Sequence, residues 1–301
     1  MRCITLIFLI ISLNSFSAEG LNTKWSTFHQ RHDQNIKRVL NLISYKSETG
    51  QELVSRFEKK AIEMGKTVDE VIIASEGSFT DSTILRSFKE HSPLEVLYNT
   101  KVRINLNKEL PTYYAVLDLA HEMVHFLKRQ NLNPYIDQFS VADFIHNSIE
   151  GDGGEVDAFM LECIIDREVF GKNRYLREKC EKSQVDGRVS KEQVTKEFYK
   201  LGNYFKVLSD ELLKSGINVS ESFPYLSRTE PSFISSVHSM PYPLAGYFEF
   251  KMIKGVACKN EKRRYQYIFS SPQREGFSKR ALDNLKVDYN RKCSGFNNFE
   301  L

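Results

Sequence analysis

The pentapeptide His121-Glu122-Met123-Val124-His125 constrains this 301-residue chain more than any other stretch. Side chains four apart stack on one face of an α-helix, so a helical segment here lets both imidazoles reach a single ion. Glu122, one residue after the first His, can then bring its carboxylate to a water on that ion. The flanks favour the helix. Tyr114 to Ala120 and Phe126-Leu127 are apolar on nearly every face, Asp118 being the odd residue, which is the pattern of a buried helix. Pro111 suits its first turn and Lys128-Arg129 its last. Two imidazoles and a carboxylate are costly to bury there unless paired or bound to a metal. An HExxH pattern arises by chance in a chain of this length on the order of 1% of the time. A metal site is therefore expected in preference to two hydrogen-bonded core histidines.

Two His do not complete a catalytic site, which normally has three protein ligands and an open position for water. The downstream candidates are His146, Glu150, Asp152 and Glu155. No Gly or His follows His125 at the spacing of HExxHxxGxxH, so a third His on that pattern is excluded. Glu155 is favoured. Gly151-Asp152-Gly153-Gly154 can turn the chain back, and Glu155-Val156-Asp157-Ala158-Phe159 to Ile165 reads as a second helix with Glu155 in its first turn. Phe139 to His146 reads as a short helix that keeps His146 and Glu150 as alternatives. Asp157 and Asp118 are candidates for orienting a ligating His through its other ring nitrogen.

These two segments, Leu119-Ala120-His121-Glu122-Met123-Val124-His125 and Glu155-Val156-Asp157-Ala158, resemble the gluzincin metallopeptidases, compact zincin-like enzymes in which a Glu-x-Asp/Glu-Ala helix follows HExxH by some thirty residues. The resemblance spans roughly residues 100 to 165. It implies one Zn2+ per chain held by His121, His125 and Glu155, with Glu122 activating a water. The thermolysin branch carries an Asp four residues after its third ligand, where this chain has Phe159, so the resemblance is to the superfamily and not to that branch.

Zincin-like enzymes place an edge strand before the HExxH helix, along which a peptide pairs by backbone hydrogen bonds. Val102 to Asn107 alternates apolar and polar and stands where that strand is expected, with Val71 to Ala74 and Leu94 to Tyr98 as further strands. An ordinary structural strand fits Val102 to Asn107 as well. Thr49-Gly50-Gln51-Glu52 reads as a capping box for a helix carrying Leu53, Phe57, Ala61 and Met64 up to Gly65, and residues near 25 to 45 read as helical. Beyond Gly171 a helical stretch runs to about Lys182, and Glu192 to Lys214 gives one or two more. From Ser220, Pro224, Pro231, Pro241 and Pro243 argue for an irregular region, with strand-like pieces at Tyr247 to Phe250 and Tyr265 to Phe269. His238, Tyr242 and Tyr247 from this region are candidate donors to a developing oxyanion.

Met1-Arg2, the apolar run Cys3 to Leu13 and the small residues Ser15 and Ser17 have the layout of a secretory signal peptide covering residues 1–17. The apolar run is too short to span a bilayer. Four cysteines remain after cleavage, and an even number in an exported chain suggests two disulfides. Cys163 and Cys180 flank the Gly171 break and would face each other in a hairpin, leaving Cys258 with Cys293.

The expected fold is α+β and zincin-like, predominantly helical with a small sheet on the HExxH helix. Residues 18–215 form the core, and residues 216–301 form a disulfide-stapled C-terminal lobe or part of one domain. The net charge of +3 gives no reason to expect nucleic acid or a membrane surface as a partner. The expected function is a secreted or periplasmic zinc metallopeptidase acting on a peptide or protein, without stable membrane insertion. The alternative is a non-catalytic binding protein on a zincin scaffold, which would have no need of Glu122. Substrate identity and oligomeric state are not encoded in any motif.

Overall fold

The structure, a computed structural model, describes residues 18–89, 92–130, 132–135, 140–171, 178–270 and 278–294. The expected signal segment, Phe139 at the start of the expected short helix, and Lys172 to Arg177 lie outside the described residues. The fold is mixed α+β; among the described residues helices dominate, beside a small three-stranded sheet and a two-stranded hairpin, Gln184–Val185 with Arg188–Val189.

After short turns at Ala18–Leu21 and Trp25–Thr27 come the helices α1 (His32–Ser44) and α2 (Glu48–Glu63). In α1, Ile36, Val39, Leu40 and Ile43 recur at helical spacing and are all buried. The cap of α2 differs from the expected box. Ser47 is the N-cap and accepts from the Gly50 N–H at 2.7 Å, whereas Thr49 lies inside the first turn and its hydroxyl donates to Glu168. The sequence offers two capping hydroxyls two residues apart, Ser47 and Thr49, and the earlier one is used. A Cβ on Gly50 would stand 2.0 Å from the Ile43 carbonyl oxygen, so α2 must begin with Gly50 against the end of α1.

Three strands follow: β1 (Ile72–Ser75), β2 (Phe79–Lys89) and β3 (Ser92–Asn107). Their order is β1-β3-β2, with β3 parallel to β1 and antiparallel to β2. Here the expected placement is corrected. Leu94 to Tyr98 and Val102 to Asn107 are one continuous strand, and it is the central one. The edges are β1 and β2, and the one beside the motif helix's Glu122 is β2, whose polar run Thr80-Asp81-Ser82-Thr83 hides the usual strand composition.

The motif helix α3 (Thr112–Lys128) is buried nearly all round, as Ala115, Val116, Leu117, Leu119, Ala120, Met123, Val124 and Phe126 show. Pro111 is its N-cap. Lys60 Nζ from α2 donates to the carbonyls of Phe126 and Leu127, satisfying groups that the helix end leaves open. Ser140 and Asp143 form a capping box for α4 (Val141–Ile149). Helix α5 (Glu155–Ile165) has Gly154 as its N-cap and runs into a π-helical turn, Asp166–Phe170.

After these come α6 (Lys191–Phe198), α7 (Phe205–Lys214), α8 (Tyr242–Ser270) and α9 (Lys279–Lys292). The strand-like pieces at Tyr247 to Phe250 and Tyr265 to Phe269 are both inside α8. Their aromatic residues favour strands only weakly, and helical burial of Leu244, Tyr247, Phe250 and Cys258 against the core overrides that preference. Pro241 and Pro243 mark the start of α8, where a missing N–H is tolerated, and not the middle of an irregular region.

Two disulfides close in the pairing expected, Cys163–Cys180 and Cys258–Cys293. They point to an oxidising, extracellular-type compartment. No helix among the described residues is long and apolar enough to cross a membrane. The core has two parts. One joins α1, α2, the sheet and α3; the other joins α4, α6, α7 and the first half of α8. Helix α5 serves both, giving Ala158 and Ile165 to the first and Val156, Phe159 and Cys163 to the second.

Candidate metal centre

A cleft of about 500 Å3 is lined by α3, the start of α5, strand β2 and the start of α8. His121 and His125 stand one turn apart on its floor, with ring centroids 4.8 Å apart and planes at 82°. With Glu122 they make a group that could hold a metal ion, their ligand atoms lying within 4.8 Å of one another.

The ring nitrogens are sorted by their partners. His125 Nδ1 lies 2.7 Å from the Gly153 carbonyl oxygen, and His121 Nδ1 lies 3.2 Å from Glu162 Oε2. Both partners accept, so each Nδ1 carries a hydrogen and a neutral ring keeps its lone pair on Nε2. Both Nε2 atoms face one carboxylate: His121 Nε2 is 3.2 Å from Glu155 Oε2, and His125 Nε2 is 3.5 Å from Glu155 Oε1. Glu122 points elsewhere. Its Oε2 accepts from Thr80 Oγ1 at 2.7 Å, and the same hydroxyl lies 3.0 Å from the Glu122 carbonyl.

The loop before α5 makes this possible. Gly153 has φ +69°, and a Cβ there would meet Arg129 N and Lys128 Cβ at 2.6 Å, so only a residue without a side chain can lay its carbonyl on His125. Asp157 Oδ2 accepts from the Gly153 N–H at 3.2 Å while Oδ1 pairs with Lys191 at 2.9 Å. Asp157 thus holds the loop that holds His125.

Electrostatics follow from burial. Desolvation opposes a charge on His121, but Glu155, Glu122 and Asp118 together outweigh it and raise its pKa. Desolvation likewise opposes a charged Glu155, and His125 and His121 outweigh it, holding the carboxyl well below its usual range. The pocket therefore favours positive charge at His121. Burial, together with Glu155 and Glu122, pushes the Tyr242 phenol well above its usual range, so it stays a neutral donor within hydrogen-bonding reach of Glu155. Arg129 Nη2 lies 3.9 Å from Glu155 Oε1.

The remaining sequence candidates go to different places. His238 lines the cleft with Tyr242, whereas Tyr247 donates to Glu211 Oε2 at 2.6 Å on the far side of α8. Asp118 is half-buried one turn before His121 and acts on it through its charge. His146 and Glu150 pair with each other at 3.0 Å, and Asp152 is exposed, 3.6 Å from Lys128. Two residues escaped the sequence reading. Glu162 sits two turns after Glu155 on the same face of α5, and that spacing was the available signal. Thr80 had none, because β2 itself was not recognised.

Compared with protein-family models, with curated proteins and with solved structures, the chain has no match, so the resemblance to gluzincins rests on motif spacing alone.

Proposed function

We propose that this protein is an exported zinc-dependent peptidase, with His121, His125 and Glu155 as ligands and Glu122 as general base. One observation carries the reading. The Glu155 carboxylate bridges the two imidazoles, Oε2 lying 3.2 Å from His121 Nε2 and Oε1 3.5 Å from His125 Nε2, close to the roughly 3.3 Å between neighbouring ligand atoms on a tetrahedral zinc with bonds of about 2.0–2.1 Å, so a small rotation brings one oxygen onto an ion shared with both nitrogens. The donor set also fits in chemistry. Each imidazole has a second partner at Nδ1, a carboxylate or a backbone carbonyl, as ligating histidines usually do.

A zinc ion held there would polarise a carbonyl oxygen and make a water acidic near neutral pH. Glu122 then takes the proton of the attacking water and delivers it to the leaving amine. Thr80 holds the Glu122 carboxylate toward the cleft by its 2.7 Å bond. The Tyr242 hydroxyl, neutral and aimed at the ligand cluster, donates to the oxyanion that develops on the substrate carbonyl. An extended peptide is accommodated along β2, which has a single strand neighbour and lines the cleft from Ser78 to Ser82.

The test is metal analysis of the purified mature protein beside Glu155→Ala and Glu122→Gln, with cleavage of a mixed peptide library read by mass spectrometry. One zinc per chain is expected in the wild type, less in Glu155→Ala, and an unchanged content in Glu122→Gln with cleavage reduced about 10²- to 10⁴-fold. A folded wild type that takes up no zinc, or a Glu122→Gln variant that cleaves at the wild-type rate, overturns the reading.

A further inference from the structure

Helix α8 has a second face that the cleft does not use. At 100° per residue, Phe248, Met252, Val256, Lys259, Lys262, Arg263, Gln266 and Ser270 fall on one continuous strip, and all are exposed. The strip is ordered along the helix. Three large apolar side chains one turn apart, 43%, 47% and 39% exposed, are followed by three basic ones. Among the described residues no ion pair engages Lys259, Lys262 or Arg263, unlike Arg264 on the packed side, which pairs with Glu261.

Charge along the chain is asymmetric in the same sense. Residues 242–301 hold 12 Lys and Arg against 6 Asp and Glu, a net +6, while residues 1–241 hold 30 against 33, a net −3. The overall +3 conceals this division. Helix α9 is fastened to α8 by Cys258–Cys293 and by Tyr289 stacked on Tyr265 at 6.0 Å, so the basic segment is a stapled pair of helices.

We propose that this face of α8 docks the protein peripherally on an anionic lipid bilayer, with Phe248, Met252 and Val256 entering the headgroup boundary and Lys259, Lys262 and Arg263 on the headgroups. The charge selects an anionic partner. The adjoining apolar ridge selects a bilayer over nucleic acid or another soluble polyanion, which would engage the charges and leave the ridge in water. The strip cannot span the membrane, and its chemistry is that of a helix lying on one. About a quarter turn around the same helix, Tyr242, Glu249 and Ile253 line the cleft, so docking sets the cleft beside the lipid surface. The inference does not depend on the peptidase reading.

The purified mature protein is sedimented with vesicles of phosphatidylcholine alone and of phosphatidylcholine with phosphatidylglycerol, at low and high salt. The expected result is binding to the anionic vesicles only, weakened by salt. Each basic residue near the surface is worth about fivefold in partition, so Lys259→Glu with Arg263→Glu should weaken binding at least about 25-fold. Phe248→Ser with Met252→Ser should weaken it about tenfold or more. All four positions are exposed, and circular dichroism and thermal melting check that both double variants fold. No binding to anionic vesicles, equal binding to neutral ones, or wild-type binding by either double variant overturns the proposal. Heparin retention that survives the apolar substitutions while vesicle binding is absent identifies a soluble polyanion instead.

Discussion

If the proposed zinc site is right, removing the Glu162 carboxylate should weaken metal binding without touching any of the three proposed ligands. Glu162 is buried on α5, its side chain 5% exposed, and its Oε2 is 3.2 Å from His121 Nδ1. A hydrogen bond to a charged partner in such a place is worth about 1.5–3 kcal/mol, which corresponds to roughly 10- to 150-fold in an equilibrium constant, and losses on removing such partners of ligating histidines run about 10- to 100-fold. Two features of the structure set where in that range Glu162→Ala should fall. The bond is long for a charge-assisted one, which argues for the lower half; the carboxylate is nearly dry, which argues against a negligible effect. The expected rise in the zinc dissociation constant is therefore about 10- to 50-fold. Glu162→Gln, which keeps an acceptor and loses the charge, should fall between wild type and Ala. Asp157→Asn bears on His125 only through Gly153 and should change affinity by no more than about threefold. Affinities are read by competition against a chromophoric chelator at fixed pH, with zinc content measured on the same samples. If Glu162→Ala binds zinc within about threefold of wild type while Glu155→Ala does not, the assignment of Glu162 as the group that orients His121 is refuted.

Gly153→Ala should destabilise the fold by about 1–3 kcal/mol from backbone strain at positive φ and weaken metal binding too, because the Cβ clash with Lys128 and Arg129 lifts the carbonyl off His125; denaturant melts and the same competition assay check both, and a wild-type Kd would show that the carbonyl is dispensable. The His146–Glu150 pair predicts a pH-dependent contribution to stability. The hydrogen bond from His146 to Glu150 raises the His pKa above its usual 6.5, and the same bond holds Glu150 below its usual 4.5. The His contribution is complete below pH 6.5 and fades as pH rises through the raised value, and the Glu contribution is complete above pH 4.5 and fades as pH falls through the lowered one. His146→Gln should therefore cost most between pH 4.5 and 6.5 and least in alkaline buffer; a cost that grows from pH 6 to pH 9 would contradict the charged pair.

Local chemistry alone made a large part of this site legible. An apolar run with His, Glu and His at helical spacing had to be a buried helix with an unusual polar face, and α3 is that helix. Glycines before Glu155 had to turn the chain, and α5 begins at Glu155. Cys163 and Cys180 on either side of the break at Gly171, with Cys258 and Cys293 left over, suggested the two pairings that form. These inferences use residues close in sequence, where periodicity and turn chemistry act. What the sequence left open depends on contacts between distant segments. Which strand is the edge is a property of the whole sheet, so Val102 to Asn107 fitted an edge and an interior strand equally until β2 was seen beside it. Tyr242 and Tyr247 are both tyrosines near prolines, and only the direction of α8 sends one hydroxyl to Glu155 and the other to Glu211. The sequence by itself determined the helix that carries His121, Glu122 and His125, the start of the second helix and the cross-links. Tertiary structure decided which carboxylate orients His121, which hydroxyl holds Glu122 and which face of α8 remains exposed, because each of these is fixed by packing across more than 30 residues of chain and leaves no local pattern.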